Sequence, residues 1–99
     1  MPIDIETNYL EHVKDIITSI INDQNLKIYV FGSRATGKAR KYSDLDIALD
    51  LKIEIDSKKM SKIATELENT TIPYKIDVVD LNAITENFKK CIENDLVEI

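Results

Sequence analysis

Phe31 to Leu51 reads FGSRATGKARKYSDLDIALDL, and the periodicity at its end decides the fold. Leu45, Ile47, Leu49, Leu51, Ile53 and Ile55 are all apolar, and Asp44, Asp46, Ala48, Asp50, Lys52 and Glu54 lie between them. Strict alternation is the period of a half-buried strand, predicted to begin near Asp44 and to run past Ile53. Asp44 and Asp46 then share a face, with Cα atoms roughly 6.6 Å apart at the usual rise per residue. Two carboxylates so placed repel each other and are stable as anions mainly when a cation lies between them. Mg²⁺ suits oxygen ligands and keeps positions open for water and phosphate. An isolated Asp-x-Asp is also common on a solvated strand face, so its context has to decide.

Upstream lies an apolar run, Leu26 to Phe31, followed by Gly32-Ser33. A strand that ends in Gly-Ser and enters a turn can offer backbone N–H groups to phosphate. Gly32 allows close backbone approach, and Ser33 adds a hydroxyl. Arg34, Lys38, Arg40 and Lys41 follow, with no acid between Ser33 and Tyr42, in a chain whose net charge is -5. A basic loop in an acidic domain attracts an anion, although a solvated charged loop has the same composition.

The 99 residues, with 43% hydrophobic and 31% charged side chains, fit one globular domain spanning 1–99. The acidic balance argues against general nucleic-acid coating, and a nucleic acid is not expected as a direct partner. One cysteine cannot form an internal disulfide, and no signal peptide or long apolar span is evident. The expected setting is a reducing cytoplasm, away from the membrane.

A first helix is predicted from about Asp4 to Asp23, with Tyr9, Val13, Ile16, Ile17, Ile20 and Ile21 on one stripe. His12, at its edge, has no second His or Cys nearby and is not expected to bind metal. Leu26–Phe31 is the first strand. A helix from Asp56-Ser57 to about Asn69 follows the second strand, with Met60, Ile63, Ala64 and Leu67 inward. Tyr74 to Leu81 is the third strand. Asp77 and Asp80 point oppositely on it, so only one can join Asp44 and Asp46. If Ile76 and Val78 pack on the helices, it is Asp77, and Asp80 is a turn residue. The last helix is predicted from about Asn82 to Asn94, with Ile84, Phe88, Cys91 and Ile92 inward, and Leu96–Ile99 as a short edge strand. The fold class is α/β (α+β): a small mixed sheet, helices on one face, and three aspartates on the partly open other face.

Gly32-Ser33, ten intervening residues, Asp44-Leu45-Asp46 and then Ile76-Asp77-Val78-Val79 together resemble the nucleotidyltransferase superfamily that includes DNA polymerase beta. The minimal nucleotidyltransferases, or MNT proteins, are the most similar branch. Arg34-Ala35-Thr36-Gly37 and Ser43 fit the same pattern. The resemblance implies a polymerase beta palm-like fold and two Mg²⁺ ions held by Asp44, Asp46 and Asp77. It implies ATP as substrate, with Gly32 and Ser33 on the β- and γ-phosphates and Arg34 and Lys38 as further candidates. An acceptor hydroxyl would attack the α-phosphate, Asp77 would take its proton, and pyrophosphate would leave. MNT proteins of this kind resemble the antitoxin half of toxin–antitoxin pairs. There the partner is an RNA-cleaving HEPN-family toxin, neutralised by AMP placed on a tyrosine hydroxyl. Two alternatives stay open: transfer to an RNA end or small molecule, and a non-catalytic module that blocks its partner by binding.

Overall fold

The computed structural model describes residues 7–32 and 44–99. Within them run α1 (Thr7–Ile20), β1 (Lys27–Phe31), β2 (Leu45–Asp50), α2 (Ser57–Glu68), β3 (Ile76–Asp80), α3 (Glu86–Ile92), a 3-10 turn (Glu93–Asp95) and β4 (Val97–Glu98). The four strands form a mixed sheet in the order β3-β2-β1-β4. β1 is antiparallel to β2 and β4, and β2 is parallel to β3. A parallel pair needs a crossover connection, and α2 supplies it.

Alternation sorts the strand side chains into two layers. Ile28, Val30, Leu45, Ile47 and Leu49 bury against Val13, Ile17 and Ile21 of the α1 segment and against Ile63 and Leu67 of α2. These belong to the predicted helix stripes and make the main core on one face, whereas Ala64, expected inward on α2, is exposed. α2 starts where expected because the Asp56 side chain accepts a hydrogen bond from Lys58 N at 2.9 Å, a standard N-cap.

The opposite face is not wholly open. Phe31 and Ala48 pack there with Leu81 and Ile92 in a second, smaller cluster. The expectation of helices on one face holds for α1 and α2, whereas α3 contributes its Ile92 to the other side. This helix also starts later than predicted. Leu81 to Ala83 form a turn, with Ala83 N donating to Asp80 O. The Thr85 hydroxyl then accepts from Phe88 N at 3.2 Å and caps the helix at Glu86. A helix that short packs only through its end. Phe88 is 43% exposed and Cys91 is also exposed, where both were expected inward.

The second strand is also shorter than its alternation suggests. It stops at Asp50, whose Oδ1 accepts from Lys52 N at 2.9 Å and turns the chain. Lys52 adopts φ +70°, and Ile53 is 66% exposed. The alternation of Leu51, Ile53 and Ile55 therefore belongs to a loop, in which Ile55 is buried in the core and Leu51 packs against it half-buried. His12 is exposed.

Candidate active site

Strand register builds the site. Phe31 of β1 lies opposite Asp46 of β2, and Asp46 lies beside Asp77 of β3. Residues in register share a sheet face, so the two carboxylates emerge side by side on the face away from the main core. Ile76 and Val78 pack toward that core, which is the parity that selects Asp77 over Asp80. Asp44 precedes β2 by one residue and is exposed, and Asp46 is partly buried.

Gly32 closes the row at the end of β1. It takes φ +74°, and a Cβ built there would lie 2.5 Å from Asp46 Oδ2. A residue with a side chain would meet two obstacles, the left-handed conformation and the Asp46 carboxylate. Gly32 thus brings bare backbone against the buried side of that carboxylate.

The electrostatics carry an excess of negative charge. Burial pushes the Asp46 carboxyl above the ordinary carboxylate range, and the charges of Asp77 and Asp44 push in the same direction. Among the described residues, the counter-charge beside the row is Lys75, whose Nζ lies 3.9 Å from Asp77 Oδ1, with both side chains well solvated. Such a pair neutralises little. Among the described residues, no group of three or more His, Cys, Asp or Glu is arranged as a finished metal-ligand set. Asp44, Asp46 and Asp77 supply the charge and the hard oxygen donors that Mg²⁺ prefers. Ser33, Arg34 and Lys38, the other predicted phosphate contacts, lie outside the described residues.

Two aspartates outside the predicted set hold the scaffold. Asp80 is only 5% exposed. Its Oδ2 accepts from Ile55 N at 2.7 Å and its Oδ1 from Asn82 N at 2.9 Å. It was expected to be a turn residue; it makes that turn and also ties the loop before α2 to the end of β3. Asp50 Oδ1 accepts from Asn82 Nδ2 at 3.1 Å as well as from Lys52 N. Neither role has a local sequence signal beyond an acid at a strand end.

Residues 11–99 match the family described as Polymerase beta, Nucleotidyltransferase. The chain belongs to that family. This nucleotidyltransferase is 31% identical over 97 residues to the Haemophilus influenzae protein named "Probable protein adenylyltransferase MntA", across 98% of this chain and 83% of that protein. A toxin–antitoxin crystal structure with AMP-PNP shares its fold at TM-score 0.69 and 24% identity, over 89% of this chain and 70% of that one. The fold also recurs in a complex of an MNT antitoxin with a tri-AMPylated HEPN toxin from Shewanella oneidensis. There the TM-score is 0.58 and the identity 22%, over 87% of this chain and 70% of that one. No helix among the described residues is long and apolar enough to cross a membrane.

Proposed function

We propose that this nucleotidyltransferase moves AMP from ATP to a tyrosine hydroxyl of a HEPN-family toxin and so acts as its antitoxin. The observation that carries the reading is the Asp46–Asp77 pair, in register on adjacent strands and backed by Gly32. The family match over residues 11–99 supports treating that span as one catalytic domain. The MntA relative supports protein adenylylation, and the structural relatives support ATP and a HEPN partner.

Asp44, Asp46 and Asp77 would hold Mg²⁺, two ions by the family pattern. When bound, the metal neutralises phosphate charge and lowers the pKa of the attacking hydroxyl. The residues do the rest by position. Gly32 and Ser33 grip the triphosphate through backbone N–H groups and a hydroxyl, with Arg34 and Lys38 adding charge along it. Asp77, whose side chain is well solvated, faces the acceptor and takes the tyrosine proton. The tyrosine oxygen bonds to the α-phosphorus as the bond to the bridging oxygen breaks, and pyrophosphate leaves. Holding the two oxygens in line is the larger part of phosphoryl-transfer catalysis.

The test uses ATP labelled at the α-phosphate, Mg²⁺, this chain and the HEPN-family protein of the same cell. Label should appear on the HEPN protein at tyrosine and should be absent with Asp44→Asn/Asp46→Asn. Label on RNA would replace the proposed acceptor. Equal labelling by the double variant would reject the site.

A further inference from the structure

The proposed acceptor must reach Asp77, and the structure has a surface that leads there. β3 is the outermost strand of the described sheet, paired on one side with β2 and with no strand on the other among the described residues. Leu45 N donates to Lys75 O, and Leu81 N donates to Leu49 O. Backbone groups alternate along a strand, so those of Asp77 and Val79 turn to β2. The N–H and C=O of Ile76 and Val78 point outward.

Beside this edge runs a groove of about 450 Å³ between α2 and the approach to β3. Ala64, Leu67, Ile72 and Ile76 give it an apolar lining, and Asp77 is among the residues that border it. One wall is braced from outside the groove. The ring of Tyr74 meets Tyr9 of α1 edge-on, with centroids 5.8 Å apart at 90°, a favourable aromatic geometry. Its charged lining residues are Glu68, Lys75 and Asp77, a net negative set that disfavours a phosphate backbone. Outward backbone groups, an apolar lining and repulsion of polyanions suit an extended peptide that adds to the sheet edge.

We propose that the β3 edge and its groove take an extended, tyrosine-bearing segment of the protein acceptor, aligned by main-chain hydrogen bonds to Ile76 and Val78. The proposal rests on the adenylyl-transfer reading for the identity of its occupant. It adds where the acceptor lies: along β3, with its hydroxyl delivered at the Asp77 end.

The experiment separates docking from chemistry. Amide exchange is followed with and without the HEPN-family protein, in the wild-type chain and in Asp44→Asn/Asp46→Asn. The same protein serves as acceptor in a transfer assay with Ala64→Arg, which projects a long side chain over the groove from an exposed position on α2 with little loss of helix propensity. Docking predicts exchange of the Ile76 and Val78 amides slowed about tenfold in both chains. Ala64→Arg should raise the KM for the HEPN protein about tenfold while kcat and the KM for ATP hold, the mark of lost binding alone. Protection without transfer in the wild-type chain would keep the docking site and remove the proposed activity. Transfer with unprotected amides, or an unchanged KM in Ala64→Arg, would keep the activity and overturn the site. Neither protection nor transfer would overturn both. Protection that grows with this chain's own concentration, without the HEPN protein, would assign the edge to a second copy and overturn the proposal. Protection by single-stranded RNA in place of the protein would also overturn it.

Discussion

At the residue scale, Gly32 and Asp46 are one unit. The left-handed φ of +74° and the 2.5 Å approach to Asp46 Oδ2 leave no room for a Cβ. Gly32→Ala should lower the unfolding free energy by about 1–2 kcal/mol, the usual cost of a left-handed residue, as measured by urea denaturation. It should also slow transfer about a hundredfold, because displacing a positioned carboxylate by an ångström has that scale of effect. Asp46 shows the opposite balance. Its carboxyl is held above its ordinary range by burial and by the charges of Asp77 and Asp44. Asp46→Asn removes that repulsion, so without divalent ions its melting temperature should exceed the wild type's. Its transfer rate should fall about a hundredfold or more, as when a principal electrostatic group is lost. Calorimetry in a chelator beside the labelled-ATP assay checks both arms. A lower melting temperature would show that Asp46 is not electrostatically frustrated.

At the element scale, carboxylates at strand ends decide where elements stop. Asp80 joins the end of β3 to the loop before α2 through Ile55 N. Asp80→Ala would leave that N–H without its acceptor, at a cost of about 2 kcal/mol, readable as a lower urea midpoint with an unchanged slope. Asp50 closes the turn after β2. Burial pushes its carboxyl up, but hydrogen bonds from Lys52 N and Asn82 Nδ2 and the Lys52 and Lys89 charges outweigh this and hold it below 3.8. For an acid with a lowered folded value, the stabilisation is complete above the unfolded value and is lost as pH falls through the folded one. Asp50→Asn should therefore cost less than about 1 kcal/mol near neutrality, given solvent screening. The gap to wild type should close below about pH 4. Melting temperatures of both chains across pH 2.5 to 7 (a range set by these carboxylate values) test it, and a constant gap would exclude the turn carboxylate as the cause. The same turn explains why alternation misled beyond Asp50. A period of two in Leu51, Ile53 and Ile55 does not record the bond from Lys52 N to the Asp50 carboxylate that turns the chain there. The late start of α3 has a similar origin, since Thr85 and Asn82 are both acceptable near a helix start and only the Asp80 turn separates them.

At the scale of the whole molecule, the sheet is a wall between unequal layers. The larger one, with α1 and α2, supplies most of the buried apolar surface, and Ile63 and Ile17 are fully inaccessible within it. Ile63→Ala should lower stability by about 3 kcal/mol through lost transfer energy and a cavity, a large share of the margin of a domain this size. Thermal unfolding should show one cooperative transition at a lower temperature, whereas a separate early transition would mean that α2 melts apart from the sheet. The smaller layer leaves the Asp46–Asp77 end of its face accessible. Phe31, beside Asp46, packs with Ala48, Leu81 and Ile92, so the candidate site has a rigid floor, and among the described residues its Asp77 side is solvated.

The sequence by itself determined the period-two strand that carries Asp46, with Asp44 just before it, most of the helix stripes of α1 and α2, and the Gly32 turn at the end of β1. These are local signals, written in side chains a few residues apart and readable without a partner. It also narrowed the third carboxylate to Asp77 or Asp80, because alternation fixes opposite parity within β3. Only the tertiary structure decided the remainder: the parallel register that sets Asp77 beside Asp46, the clamp by Asp80, the face on which α3 ends and the exposed edge of β3. Each of these depends on contacts between residues far apart in the chain. Such contacts are chosen by how whole elements pack and pair, which no local pattern of residue types records.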